Sequence, residues 1–96
     1  MTIYLPNHFK PRFSLGKLVI TPGAKEALSD EDIIFAISRH LRGDWGVLGK
    51  QDSQLNEDAL ENGGRLFSAY EYHNAKVWII TEADRSTTTV RLPDEY

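Results

Sequence analysis

The chain has 96 residues, of which 41% are hydrophobic and 26% are charged. This length excludes a second independent core, because a domain this small buries only about 60 to 65% of the surface that its unfolded chain exposes. The sequence contains no cysteine, which excludes disulfides, thiolate zinc sites, iron–sulfur clusters and cysteine nucleophiles. The formal net charge of -3 is too small to indicate nucleic acid, membrane or acid mimicry by itself.

The first 14 residues are predicted to form an arm ahead of a single domain over residues 15–96. Pro6 and Pro11 interrupt this segment and it has no clean periodicity, so we expect it to be partly mobile and able to add an edge strand. It lacks the basic start and long apolar stretch of an export signal, and the apolar runs of the chain are far shorter than the roughly 18 residues that span a bilayer. We therefore expect a cytoplasmic protein with no membrane segment.

The domain is predicted to begin with a strand and two helices. Residues 15–21 alternate loosely and end in a threonine before proline, which fits a strand followed by the N-cap of a short helix through Leu28. Ser29 is typical of a second N-cap, and the helix that it starts should run from about residue 30 to residue 41. Gly43 is positioned to end this helix. Its inward stripe is expected to be Ile33, Ile34, Ile37 and Leu41.

A weaker helix and three strands are predicted to follow. Asp52 and Ser53 are typical caps for a helix that ends at Asn62 before two glycines. Strands are predicted from alternation and from β-branched or aromatic content, and short connections join them. The result is an α+β fold, an antiparallel meander of three to four strands with two to three helices packed on one face. The inward helix residues are expected to be Leu55, Ala59 and Leu60, and the strands are residues 65–72, 76–82 and 87–92, with residues 15–21 as the fourth.

The first candidate site lies at the end of the main helix. His40 stands one turn before Asp44 at the edge of the apolar stripe, where a carboxylate could orient the imidazole as a general base. The alternative is structural: His40 caps its own helix, Asp44 accepts hydrogen bonds from loop amides, and Trp45 covers the open edge of the core. Trp45 is also a candidate binding residue.

A second candidate site is the turn that follows the central strand. Asp84 and Arg85 lie between Glu82 and a run of hydroxyl residues, so the turn could bind phosphate through the guanidinium or perform acid–base chemistry through Glu82. Turns are normally polar, however, and Glu82 and Arg85 are close enough to pair without any function. The three histidines are dispersed along the chain, so we expect neither a metal site nor a cofactor.

A third possibility is a binding surface on an uncovered face of the sheet. Tyr70 and Tyr72 are expected to share this face, with Phe67 and Trp78 occupying one face each. Such a face could stack single-stranded bases or form a protein interface, although ordinary cross-strand pairing would also explain the aromatic residues. The basic residues expected to flank it are Arg65, Lys76 and Arg91.

Charge is unevenly distributed along the chain. Residues 1–25 carry four bases and no acid, whereas residues 26–62 carry nine acids and three bases. Solvated helix faces behind a basic arm would explain this pattern. So would a bipolar surface that steers a charged macromolecule toward the protein.

Several stretches of the domain carry a family resemblance. They are Thr-Pro-Gly-Ala at 21–24, His-Leu-Arg-Gly-Asp-Trp-Gly at 40–46, Asp52 with Asn56, Arg-Leu-Phe-Ser-Ala-Tyr at 65–70, Trp-Ile-Ile-Thr-Glu-Ala-Asp-Arg-Ser at 78–86 and Leu-Pro-Asp-Glu-Tyr at 92–96. Together they resemble a family of short bacterial proteins borne by plasmids and phages and often labelled "plasmid-related protein" or "type I restriction endonuclease subunit M". The resemblance implies carriage by a mobile element and assigns no activity. The positively charged Arg91 departs from the more aliphatic residues of relatives at that strand.

The restriction label does not imply a methyltransferase. A methyl-donor domain is normally larger than this whole chain, and neither its glycine-rich first turn nor an Asn/Asp-Pro-Pro-aromatic motif is present. We predict a mobile-element interaction protein that binds a protein or nucleoprotein complex and inhibits a host defence system of the restriction or CRISPR type. The alternative is a small enzyme that acts on a nucleotide or phosphodiester through the polar residues of the first two candidate sites. Nucleic acid is a weaker candidate partner, and an uncovered strand edge would allow a homodimer.

Overall fold

Three helices and four strands make up residues 10–95, the part of the chain that the computed structural model describes. In chain order they are β1 (Lys17–Ile20), α1 (Pro22–Ala27), α2 (Asp30–Leu41), α3 (Lys50–Asn62), β2 (Leu66–Tyr72), β3 (Ala75–Thr81) and β4 (Thr87–Arg91). Residues 1–9 of the predicted arm lie outside the described residues. Within the described part of the chain, none of the helices has the length and apolar content needed to cross a membrane.

The sheet has the strand order β1-β4-β3-β2, which confirms the predicted α+β class. β2, β3 and β4 form the expected antiparallel meander. The fourth strand differs from the prediction, because β1 pairs parallel to β4, with Lys17 opposite Thr87. The physical reason lies in the connection: the long segment with three helices between β1 and β2 allows the chain to cross over, whereas a short hairpin joins only antiparallel neighbours.

Local sequence determines where the first two helices begin. The side chain of Thr21 accepts a hydrogen bond from the amide of Ala24, and that of Ser29 accepts one from the amide of Asp32, so both predicted N-caps are confirmed. α2 has the predicted bounds. α3 instead starts at Lys50, two residues before the predicted cap Asp52, and its N-cap Gly49 makes no side-chain hydrogen bond.

The inward face of α3 also differs from the prediction. Leu55 is 60% exposed, whereas Asn56 is only 4% exposed. The Asn56 amide donates to the carbonyl of Phe67 at 2.7 Å and accepts from the amide of the same residue at 3.0 Å. These two bonds satisfy the backbone amide and carbonyl of Phe67 at the edge of the sheet. For this reason Asn56 faces inward and Leu55 faces solvent.

Helices cover one face of the sheet. The strand residues on this inner face are Leu18, Ile20, Leu66, Ser68, Tyr70, Val77, Ile79, Thr81, Thr88 and Val90. Ala24 of α1 and Ile37 of α2 are fully buried in the main core cluster, and Ala59 of α3 joins a smaller one with Trp45 and Leu66. The predicted packing of helices on one face is therefore confirmed.

Two residues of the predicted arm belong to this packed structure. The amide of Arg12 donates to the carbonyl of Leu41 at 2.8 Å. Phe13 packs against both core clusters, and its ring meets the His40 ring edge-on with centroids 5.1 Å apart. The end of α2 is therefore covered by a segment that precedes β1.

Candidate functional site

His40 is fully buried on α2 and bonded at both ring nitrogens. Its Nδ1 lies 2.5 Å from Oγ of Ser68 on β2, and its Nε2 lies 2.9 Å from Oγ1 of Thr81 on β3. Thr81 continues to Thr88 on β4 at 2.8 Å, and the hydroxyl of Thr88 donates to the carbonyl of Leu15 at 2.7 Å. A single chain of hydrogen bonds thus crosses the inner face of the meander.

The direction of donation along this series of hydrogen bonds determines which ring nitrogen of His40 carries the proton. The carbonyl at its end can only accept, so Thr88 uses its one hydroxyl proton there. Thr81 must then donate to Thr88, and the proton between Thr81 and His40 must come from Nε2. His40 is therefore the Nε2–H tautomer, and its Nδ1 accepts from the hydroxyl of Ser68.

Burial keeps this imidazole neutral. Desolvation, with a smaller contribution from the charge of Arg85, lowers the pKa of His40 to about 3. Protonation would also place a second donor at Nδ1, where the Ser68 hydroxyl would have to turn its own proton away. This side chain is therefore a neutral element of the core near pH 7.

His40 and Asp44 bind different partners, so the alternative in which Asp44 orients His40 is wrong. The Asp44 carboxylate accepts from Nε of Arg39 at 2.8 Å and from the amide of Gly46 at 3.2 Å. The hydrogen bond from Arg39 is the main reason that the pKa of Asp44 lies below its usual range. Asp44 thus serves its own loop, as the structural alternative proposed. His40 is not a helix cap either, because its partners are side chains of the sheet.

The charged side chains of the β3–β4 turn have separate partners. Glu82 pairs with Arg65 at 3.0 Å, and not with Arg85 as the sequence suggested. Asp84 accepts from the amide of Ser86 at 3.0 Å, which closes the turn. The structure therefore places these two carboxylates in separate contacts.

Arg85 binds backbone carbonyls of the domain. The backbone of Arg85 is in the left-handed region, with φ of 61°. Its guanidinium extends toward α3. It donates to the carbonyls of Ala59, Gly64, Glu82 and Ala83 at 2.6 to 3.2 Å. In this arrangement the guanidinium secures the end of α3 to the turn, and phosphate would have to displace these bonds.

The expectation that tyrosines line an uncovered sheet face is wrong. Tyr70 is 1% exposed on the inner face, its hydroxyl donates to the carbonyl of Asp44, and the guanidinium of Arg39 lies 4.6 Å from its ring centroid. Burial is the main reason that the pKa of Tyr70 is raised. Tyr72 is half-buried and accepts from Arg39 at 3.3 Å. Both tyrosines hold the end of α2 against β2.

The outer edge of β2 is covered by a loop and by α3. Trp45 is 5% exposed, and its Nε1 donates to Glu57 at 2.9 Å. The carbonyl of Trp45 accepts from the amide of Ala69 at 3.2 Å, and the amide of Val47 donates to the carbonyl of Ala69 at 2.8 Å. With the Asn56 contacts, these bonds cover the β2 edge, so this edge is not the uncovered strand edge that a homodimer would need.

The surface that helices leave uncovered is the other face of the sheet, called here the open face. Its residues are Lys17, Val19, Arg65, Phe67, Ala69, Glu71, Lys76, Trp78, Ile80, Glu82, Thr87, Thr89 and Arg91. The rings of Phe67 and Trp78 meet edge-on at 5.2 Å between centroids, and the Arg91 guanidinium lies 5.6 Å from the Trp78 ring centroid. Phe67, Trp78 and Ile80 are half-buried and belong to neither core cluster.

A sequence signal for this face was present. In β3 the residues alternate, so Trp78 and Ile80 must share one face when Val77 and Ile79 occupy the other. The hairpin turn at residues 73–74 then fixes the register that brings Phe67 opposite Ile80. The prediction that Phe67 and Trp78 occupy one face each is therefore wrong, because both lie on the open face.

Comparisons of the chain with protein-family models, with curated proteins and with solved structures give no match. The resemblance to plasmid- and phage-borne proteins therefore stays a prediction. Among residues 10–95, no three His, Cys, Asp or Glu side chains are placed to hold a metal ion together.

Proposed function

We propose that this protein is a small interaction module that binds a protein or nucleoprotein complex through its open face. The observation that carries the proposal is a half-buried cluster of large apolar side chains outside both core clusters. Phe67, Trp78 and Ile80 form this cluster on β2 and β3, and Val19 at 37% exposure extends it onto β1. Contiguous apolar surface of this kind is typical of interaction sites, and tryptophan is enriched among the residues that dominate binding energy.

The composition of the open face supports a binding role rather than contact with water alone. A sheet face in contact with water alone normally carries polar residues that alternate with the inward apolar ones. Here the row that runs across the sheet is Val19, Thr89, Ile80 and Phe67, in which only the threonine is polar. This row lies where a partner surface would contact all four strands.

We further propose that the partner complex is a host defence system of the restriction or CRISPR type. The support for this step is the resemblance to short proteins borne by plasmids and phages. Mobile elements encounter such systems on entering a cell, and a small module can block a large complex by occupying one of its surfaces. Carriage by a mobile element is part of the same proposal, and so is a cytoplasmic location.

Transformation efficiency tests the proposal. Unmodified plasmid is introduced into hosts with an active type I restriction system or with a matching CRISPR system, and into isogenic hosts without them. The wild-type protein should raise the efficiency in at least one defended host. A Phe67→Thr, Ile80→Thr variant should lose this effect, because threonine keeps the β-branched preference for a strand and removes the apolar contact area.

Phe35→Gln provides the matched control. Phe35 is 56% exposed on α2, on the other side of the sheet, so this variant should retain wild-type activity. Circular dichroism and thermal unfolding establish that both variants are folded. A folded open-face variant with full activity would refute the role of the open face. If wild-type protein protects no defended host, the defence target is wrong.

A further inference from the structure

The open face differs in charge from the rest of the molecule. It carries four basic residues and two acidic ones, a net of +2 in a chain whose total is -3, which leaves -5 elsewhere. The bases are Lys17, Arg65, Lys76 and Arg91, and the acids are Glu71 and Glu82. These residues surround the apolar row, since Lys17 begins β1, Arg91 ends β4, and Glu71 and Lys76 lie opposite each other near the β2–β3 turn.

We propose that the open face binds a protein segment in which an apolar anchor residue is flanked by aspartate and glutamate. This inference rests on the proposed function. The anchor packs against Trp78, Ile80 and Phe67, and the carboxylates of the partner meet Lys17 and Lys76. Electrostatic complementarity of this kind mainly accelerates association and selects the partner, while the apolar contacts hold the complex.

A second copy of this chain does not have that chemistry at its own open face. Two open faces placed against each other would bring net +2 against net +2, and like charges across an interface disfavour the pairing. Residues 1–9 of the chain contain apolar side chains and no acidic residue, so they do not match the basic rim either.

Single-stranded nucleic acid fits the open face less well than an acidic protein. Stacking needs accessible aromatic faces, and here the Arg91 guanidinium lies over the Trp78 ring while Phe67 meets it edge-on. Glu71 and Glu82 on the same face would repel phosphates. A net of two positive charges would release few counterions, and counterion release supplies most of the sequence-independent affinity for nucleic acid.

Site-specific photo-crosslinking identifies the occupant. The full chain carries p-benzoyl-phenylalanine in place of Ile80, is expressed in host cells and is irradiated, and the crosslinked peptide is sequenced by mass spectrometry. We expect one protein segment with an apolar residue flanked by at least two aspartates or glutamates. The same probe in place of Phe35 controls for contacts made by any exposed aromatic position.

The identified partner is then used in a binding measurement with two charge-matched variants. Lys17→Glu with Lys76→Gln changes the open face, whereas Lys25→Glu with Lys50→Gln changes exposed lysines of α1 and α3 by the same charge. The first pair should lower the association rate about tenfold at low ionic strength, and the second pair less than twofold.

The outcomes separate this proposal from the proposed function. A protein segment without acidic residues, or equal rates for the two charge variants, overturns the acidic partner and leaves the interaction module standing. Crosslinks to nucleic acid also overturn the acidic partner. Crosslinks only to a second copy or to residues 1–9 overturn both proposals.

Discussion

Because His40 is buried, we expect this protein to lose stability in mild acid. His40 has a pKa of about 3 in the fold and about 6.5 in an unfolded chain. Because the folded pKa is lowered, the unfolded state binds more protons over this interval, so stability falls as the pH falls. The contribution of His40 is fully present above pH 6.5 and is lost progressively toward pH 3. Linkage over the two pKa values gives a loss of about 2 kcal/mol between pH 7.5 and pH 5.

The interval from pH 7.5 to pH 5 separates the effect of His40 protonation on stability from that of the carboxylates. The pKa values of Asp44, Glu57 and Glu95 are lowered by hydrogen bonds, chiefly from Arg39, Arg12 and Thr21 respectively. A carboxylate of this kind contributes stability above its unfolded pKa, which is about 4, and loses it only below that pH. Between pH 7.5 and pH 5 the carboxylates therefore contribute little to the change.

Urea unfolding at pH 7.5 and pH 5, measured for wild type and for His40→Gln, tests this prediction. The glutamine variant should be less stable at pH 7.5 by about 1 to 3 kcal/mol, because it loses the imidazole ring packed against Phe13 and Trp45 and displaces the acceptor and donor that meet Ser68 and Thr81. Its stability should change about 2 kcal/mol less than that of wild type between the two pH values. The other two histidines are present in both proteins and cancel in the comparison. An equal pH dependence in the two proteins would refute the neutral, buried state of His40.

Two substitutions test contacts at the edge of β2, and a third tests the start of α3. Gly46→Ala should destabilise the protein by more than about 2 kcal/mol in urea unfolding, since φ is 79° and a Cβ would lie 1.9 Å from the carbonyl oxygen of Ala69. Gly49→Ser should instead raise the unfolding free energy by a few tenths of a kcal/mol, because the N-cap has normal φ and open space but no side-chain acceptor. Asn56→Ala should cost about 2 to 4 kcal/mol, because it leaves the amide and carbonyl of Phe67 unpaired, and hydrogen exchange at that amide should accelerate.

Elements with strong local signals could be predicted from the sequence. α2 has the expected bounds because a serine cap, an isoleucine stripe and Gly43 with φ of 81° all act within a few residues of one another. The β2–β3 turn follows from His73 and Asn74, which adopt φ of 51° and 67°. Positive φ at both central residues is typical of the type I′ turn that joins two antiparallel strands.

Features that depend on distant partners could not be predicted in the same way. Asp44 is close to His40 in sequence but does not bind it. The hydrogen-bond partners of His40 are Ser68 and Thr81, which are 28 and 41 residues away. A weak signal existed, because Ser68, Thr81 and Thr88 occupy inward positions next to buried apolar ones such as Tyr70, Ile79 and Val90. Hydroxyls at such positions need buried partners, so they indicate a polar side chain arriving from a helix.

The edges of the sheet support the proposal that a partner binds the open face. Loop and α3 groups bond the β2 edge at Phe67 and Ala69, and β1 at the opposite edge has four residues and begins with Lys17. Blocked, short or lysine-bearing edges disfavour strand addition from another chain. Helices occupy the inner face, so the open face is the sheet surface on which apolar residues remain accessible to a partner. A fold that protects its edges while keeping Trp78 half-exposed favours binding through side chains rather than through backbone pairing.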